Sequence, residues 1–236
     1  MGTPPVLLTR ASGHNKALAA ILVSAGHDVL IRPAIEIRPF QLKPSDVARL
    51  LSAKAIAFVS PNAVRSFFTH LELPKHLCSV VFAIGPGTEA ALKKVGILTK
   101  ESAIPSTATG LATLLRKRLS PNTAIALIVG NHSRPELEEG LIENGQVPMA
   151  LQVYKNEAPA KLHIPKQELH AVVFFSPSAA RNMIRANSWL CDIPAVAIGP
   201  TTAGVLKNEF KHQRVFQAQT PTLEHISHTL QHLEIS

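Results

Sequence analysis

Residues 83–93 read AIGPGTEAALK and residues 197–207 read AIGPTTAGVLK, so these twin segments agree at seven of eleven positions. Each begins as a short apolar run, turns at Gly-Pro and continues with the spacing of an amphipathic helix. A strand that leads through a tight turn into a helix is the repeating unit of parallel α/β sheets. The twin segments therefore predict an α/β fold that is built twice.

The repeat extends beyond the twin segments. FVSPNAVRSFF at 58–68 and FFSPSAARNMI at 174–184 share Phe, Ser, Pro, Ala and Arg in register, at nearly the same offset as the twin segments. A fainter echo links KALAAILVSAGHDV at 16–29 with PELEEGLIENGQVP at 135–148. Three segments in one order at nearly one spacing indicate internal duplication, with a period too long for a solenoid.

Short apolar runs alternate with helical patterns along the whole chain, which is typical of a parallel sheet with crossover helices. Helices are expected to fill most of the gaps between the runs. The predicted strands lie near 6–9, 28–31, 55–59, 79–84, 124–129, 146–149, 171–175 and 194–198.

Two proline-bounded extended stretches, RPAIEIRPF and ALQVYKNEAP, occur at equivalent points of the two copies and read as linkers. If the chain crosses between domains at both places, one domain is inserted in the other, although two sequential domains stay open. The expected parts are a discontinuous α/β domain of residues 1–35 plus 156–236, an inserted α/β domain of residues 38–152, and linkers near 33–40 and 150–158.

Composition excludes several classes of protein. The apolar runs are too short to cross a bilayer and no export leader is visible, so we expect no membrane contact. Only two cysteines, Cys78 and Cys191, are present, which suits a reducing compartment and predicts a cytoplasmic protein. The 11 histidines show no metal-ligand spacing, so no metal is expected.

A net charge of +8 should attract anions. The 24 Lys and Arg residues are spread in ones and twos, and the 5% aromatic content leaves few platforms for stacking bases. Nucleic acid is therefore weakly supported as a partner, and a basic surface that simply aids solubility is the alternative.

The repeated phrases predict helix starts at the carboxyl ends of strands, the edge where open α/β sheets bind ligands. Ser60 and Ser176 stand at N-cap positions, and they either cap a helix only or also contact a ligand. After the Gly-Pro turns, helix starts bring backbone N–H groups and hydroxyls that bind carboxylate or phosphate. The hydroxyls belong to Thr88, Thr201 and Thr202.

Tyr154 is the only tyrosine of the chain and lies in the second predicted linker. A phenol beside an interdomain cleft could donate a proton or a hydrogen bond. The alternative is that Tyr154 is an amphipathic hinge residue with only a structural role in packing and capping.

An ordered set of motifs carries a resemblance to a known family. The set covers the whole chain and consists of LLTR, PAIEI, FVSPNAV, AIGPGTEAALKKVGI, VG followed by Arg134 and EEGLIENG, VYKNEAP, FFSPSA, AIGPTTAGVL and TPTLEHI. With these motifs the chain resembles the uroporphyrinogen-III synthase family.

The resemblance implies two similar Rossmann-like or flavodoxin-like domains with parallel sheets, joined by a two-stranded hinge, with the active site in the cleft between them. It implies a cyclising hydro-lyase that closes hydroxymethylbilane to uroporphyrinogen III with inversion of ring D, in haem and porphyrin biosynthesis. It implies no metal or organic cofactor. The expected protein is a monomer that contacts hydroxymethylbilane synthase transiently.

By position, the resemblance assigns Tyr154 to departure of the substrate hydroxyl. The other expected site residues bind substrate, and they are Ser60, Thr88, Ser176, Thr201, Thr202, Arg10 and Arg134. Gly87 stands where the second copy has Thr201. The anion sites expected at the two Gly-Pro helix starts should therefore be similar but not identical. Two rival functions stay open: a noncatalytic two-domain binding protein for an anionic metabolite, and a nucleic-acid-binding protein.

Overall fold

The computed structural model describes residues 4–13, 15–72, 79–133, 135–220 and 222–235. Strands and helices alternate along this part of the chain, which confirms the predicted α/β class. Two residues singled out in the sequence, Cys78 and Arg134, lie outside the described residues.

The described residues form eleven strands and nine α-helices, with 3-10 helices at Ser188–Asp192 and His232–Ile235. The strands are β1 (Val6–Leu8), β2 (Val29–Ile31), β3 (Glu36–Pro39), β4 (Ala55–Phe58), β5 (Val80–Ala83), β6 (Glu101–Ser102), β7 (Ala124–Gly130), β8 (Val147–Glu157), β9 (Ala171–Phe174), β10 (Ala195–Ala197) and β11 (Val215–Gln217). The α-helices are α1 (Lys16–Ser24), α2 (Pro44–Ser52), α3 (Pro61–His70), α4 (Pro86–Lys94), α5 (Ala108–Arg118), α6 (Glu136–Ile142), α7 (Pro177–Ala186), α8 (Pro200–Phe210) and α9 (Leu223–Gln231).

The strands form two sheets of the same design. One sheet has the order β11-β10-β9-β1-β2, and the other has the order β6-β5-β4-β7-β8-β3. The strand pairs that have a defined register within both sheets are parallel. The second sheet therefore repeats the first and adds β3 at one edge.

The two sheets do not correspond to the two halves of the sequence repeat. The repeat starts again at β7, yet β1 and β2 of the first copy lie in the sheet of β9, β10 and β11. In the same way β7 and β8 of the second copy complete the sheet of β4, β5 and β6. The chain divides into two compact units, residues 1–36 with 157–236 (unit 1) and residues 37–156 (unit 2).

The central strands are buried on both faces, as parallel sheets covered by helices require. In β4, Ile56 and Phe58 pack into the core that includes α3, and Ala55 and Ala57 pack into the core that includes α5. All four side chains have no exposed surface. This alternation explains why these strands read as continuous apolar runs in the sequence.

The strand predicted at 146–149 is longer in the structure and runs through the stretch predicted as the second linker. β8 continues to Glu157, with Leu151 and Val153 buried and Gln152 exposed. Its hydrogen-bonded neighbours are β7 and β3, so the extended stretches read as linkers are paired strands.

Candidate functional site

Two serines that follow central strands cap helices in the structure. The Ser60 hydroxyl accepts the Ala63 N–H at 3.0 Å, and the Ser176 hydroxyl accepts the Ala179 N–H at 3.1 Å. Each serine has extended backbone and a proline at the first helical position after it. A hydroxyl that accepts one bond can still donate another, so capping leaves both groups able to contact a ligand.

The Gly-Pro turns of the twin segments also start helices, with Gly85 before α4 and Gly199 before α8. The first N–H groups of a helix have no partner within it and carry a partial positive charge. Thr201 is exposed at the second helical position. Thr88 and Thr202, one position later, are only 2% exposed, so any ligand reaches little of their side chains.

Unit 1 contains a pocket of about 350 Å³ at the carboxyl ends of β9, β10 and β11. Its lining includes three predicted substrate contacts, Ser176, Thr201 and Thr202, and the starts of both α7 and α8. Two helix N-termini on one pocket favour an anionic occupant.

A positive charge lies beside this pocket. The guanidinium carbon of Arg10 is 5.3 Å from the ring centre of Phe175, and that ring lines the pocket. The Arg10 carbonyl accepts a hydrogen bond from the Asn15 side chain at 2.9 Å. The structure thus brings Arg10 to the edge of the same pocket as Ser176 and Thr201.

Unit 2 has helix starts equivalent to those of unit 1, but the space around its Gly-Pro turn differs. A side chain added at Gly85 would lie 2.6 Å from the Ser106 β-carbon, whereas one added at Gly199 meets nothing within 4 Å. The Gly-Pro turn of unit 2 is therefore covered by Ser106, and that of unit 1 is open. A Cβ at Gly87 would lie 3.8 Å from Pro61, so the α3 and α4 starts are neighbours.

Tyr154 lies near the end of β8 in unit 2, with its ring packed against the core that includes α3. Its hydroxyl oxygen is 3.3 Å from the Ser60 hydroxyl oxygen, and either group could be the donor. The predicted acid and one predicted substrate contact are thus brought together at the N-terminus of α3.

Sequence reasoning missed the residues around the tyrosine ring. Gly130 lies against the ring, and Asn131 binds the backbone of Asn156 just beyond it. The available signal was a glycine that ends the apolar strand AIALIVG at the edge where ligands bind.

Within the described ranges, no cluster of three or more His, Cys, Asp or Glu side chains could hold a metal ion. None of the described helices combines the length and apolar character needed to cross a membrane.

The fold and site define a duplicated α/β protein with helix N-termini at the carboxyl ends of its strands. The sequence profile of the family described as uroporphyrinogen-III synthase HemD matches residues 16–228. The chain belongs to this uroporphyrinogen-III synthase family, a family of enzymes of haem and porphyrin biosynthesis. No protein of curated function matches the chain significantly.

Solved structures show the same fold. The uroporphyrinogen-III synthetase of Helicobacter pylori is similar with a TM-score of 0.69 and 17% identity, over 99% of this chain and 100% of that one. A mutant uroporphyrinogen III synthase of Thermus thermophilus is similar with a TM-score of 0.64 and 17% identity, over 98% of both chains. These likenesses confirm two α/β domains with parallel sheets.

Proposed function

We propose that this protein is a lyase that cyclises hydroxymethylbilane to uroporphyrinogen III, with loss of water and inversion of ring D. Membership of the synthase family supports the reaction and its tetrapyrrole substrate. The observation that carries the proposal is the Tyr154 hydroxyl, 3.3 Å from the Ser60 hydroxyl at a helix N-terminus.

Tyr154 assists the first step by donating a proton or hydrogen bond to the ring A hydroxyl as it leaves as water. The azafulvene cation that remains is attacked by the substituted α-carbon of ring D, which gives a spiro intermediate. The bond from the spiro carbon to the ring C methylene then breaks to give a second azafulvene cation. The unsubstituted α-carbon of ring D attacks this cation and loses its proton, which closes the macrocycle with ring D inverted. Since the Tyr154 phenol has Ser60 beside it, the serine can orient the phenol through a hydrogen bond.

The pocket of unit 1 binds carboxylates of the substrate, which carries two on each pyrrole ring. Ser176, Thr201 and the nearby Arg10 guanidinium supply hydroxyls and a positive charge there. Helix N-termini add backbone donors without a charged side chain. Thr88, Thr202 and Arg134 stay proposed contacts of the same substrate.

The domains of this enzyme are proposed to be residues 1–35 plus 156–236 and residues 38–152, with hinge segments near 33–40 and 150–158. The compact units, divided at 36/37 and 156/157, support this division. We propose a cytoplasmic monomer, consistent with the low cysteine content. Because hydroxymethylbilane closes spontaneously to the wrong isomer, transient contact with hydroxymethylbilane synthase would aid its transfer.

Isomer analysis tests the reaction. Hydroxymethylbilane is generated by its synthase with and without this protein, and uroporphyrins I and III are separated after oxidation. We expect isomer III in proportion to added protein and isomer I without it. Isomer I alone at every protein concentration would leave a noncatalytic binding protein as the better account.

A further inference from the structure

The pairing of β7 with β8 is irregular beside Tyr154. Val129 pairs with Gln152, but the next residue, Gly130, pairs with Tyr154 and skips Val153. Such a bulge redirects side chains and is common next to active sites. Val153 is buried in the core that includes α3, and strict alternation would turn the next side chain to the opposite face. Tyr154 instead packs against the same core.

Gly130 leaves room for the redirected ring. A β-carbon on Gly130 would lie 2.6 Å from Cε2 and 2.8 Å from the hydroxyl oxygen of Tyr154, closer than real β-carbon contacts. The Gly130 φ angle lies outside the positive range that favours glycine. The ring, and not the backbone, therefore requires glycine at this position.

Asn131 forms hydrogen bonds to the part of β8 that carries the Tyr154 ring. Its backbone N–H donates to the Tyr154 carbonyl at 3.2 Å. Its side-chain oxygen accepts the Asn156 N–H at 2.8 Å, and its side-chain nitrogen lies 3.5 Å from the Asn156 carbonyl. Asn131 thus extends the pairing past the end of β7 and fixes the backbone of β8 at Tyr154 and at Asn156.

We infer that Gly130 and Asn131 are positioning residues that hold the Tyr154 hydroxyl at the start of α3, beside Ser60. The inference concerns the placement of the phenol, and its catalytic consequence rests on the function proposed above. Gly130 acts by having no side chain, and Asn131 acts by its amide.

Because Tyr154 is the only tyrosine, a single ¹³Cζ-tyrosine resonance reports its surroundings without any assay of activity. Gly130→Ala should move this resonance, since the added methyl and the ring cannot occupy the same space. Asn131→Ala should move or broaden it, and Asn131→Asp, which keeps the acceptor for the Asn156 N–H, should restore the wild-type position.

Gly140→Ala is the matched control for the glycine substitution. Its β-carbon would lie 3.7 Å from that of Ala112, an ordinary contact, and Gly140 lies in α6 outside the proposed site. This variant should keep the wild-type tyrosine resonance. If Gly130→Ala does not fold, the Asn131 pair decides the question by itself.

Kinetics adds a second readout. Both positioning variants should lower kcat for isomer III by about tenfold or more, with KM within about twofold, because they misplace the hydroxyl. In a Tyr154→Phe background the same substitutions should lower kcat no further. An unmoved resonance in Gly130→Ala or Asn131→Ala would overturn the inference, as would equal kcat losses with and without the Tyr154 hydroxyl. If no isomer III forms at all, the resonance still decides the positioning role.

Discussion

The Ser60 hydroxyl oxygen lies 3.3 Å from the Tyr154 hydroxyl oxygen, and it also accepts a hydrogen bond from the Ala63 N–H at 3.0 Å. One side chain therefore serves two purposes, since it caps α3 and it contacts the proposed acid. Ser176 repeats the cap in unit 1, at 3.1 Å from the Ala179 nitrogen. Substitutions at the two serines can therefore be compared to separate effects on stability from effects on catalysis.

Ser60→Ala and Ser176→Ala should each lower the free energy of unfolding by about 1 kcal/mol, because each removes an N-cap acceptor. Only Ser60→Ala should also lower kcat, since only Ser60 contacts Tyr154. Urea unfolding and steady-state kinetics measure the two effects. Equal kcat losses in the two variants would show that the Tyr154 contact is not used in turnover.

Tyr154→Phe should lower kcat by about 10²-fold and leave measurable turnover. The phenol assists hydroxyl departure, but stabilisation of the cation and orientation of ring D carry part of the rate. The KM should change little, because the ring and its packing against the α3 core remain. A kcat equal to that of the wild type would remove Tyr154 from the mechanism.

Thr201→Val should raise KM by about tenfold, since it removes an exposed hydroxyl from the unit 1 pocket and keeps the side-chain volume. Thr202→Val, at a side chain only 2% exposed, should raise KM less. Substrate titrations of the two variants give the comparison. A larger effect at Thr202 would mean that the substrate reaches a hydroxyl that the structure buries.

His212 should make stability depend on pH. Burial lowers the pKa of His212 below its ordinary value of 6.5, and the backbone groups of Leu190 and Ile193, with the Asp192 carboxylate, oppose this effect only in part. Below about pH 6.5 the unfolded chain binds this proton more tightly than the folded chain, so the free energy of unfolding falls as pH falls. The slope from this residue cannot exceed about 1.4 kcal/mol per pH unit.

Unfolding of the wild type and of His212→Phe at a series of pH values isolates this contribution. The variant should lose less stability between about pH 7 and pH 5, because it has no buried imidazole to protonate. Parallel pH profiles for the two proteins would show that His212 contributes nothing to the acid sensitivity.

Features that involve only neighbouring residues could be predicted from the sequence. The twin segments predicted the Gly85 and Gly199 turns because a strand, a tight turn and a helix start involve neighbouring residues only. The fainter echo was also structural: Gly26 and Gly145, which follow α1 and α6, both have positive φ angles. Duplication strengthened each such prediction, since the same local signal appeared twice.

Features that depend on distant pairing were not predictable. β6 and β11 are edge strands of two and three residues, too short to show a period in the sequence. The contact of Tyr154 with Ser60 depends on a register shift between β7 and β8, which no pattern within β8 reveals. Gly130 acquires its role from that same shift.

The isomer composition formed from hydroxymethylbilane tests the central claim most directly. The account predicts that the wild-type protein diverts the product to uroporphyrinogen III, and that Tyr154→Phe does so more slowly with the same isomer preference. Formation of uroporphyrinogen I alone, at the uncatalysed rate and with folded wild-type protein present, would contradict it.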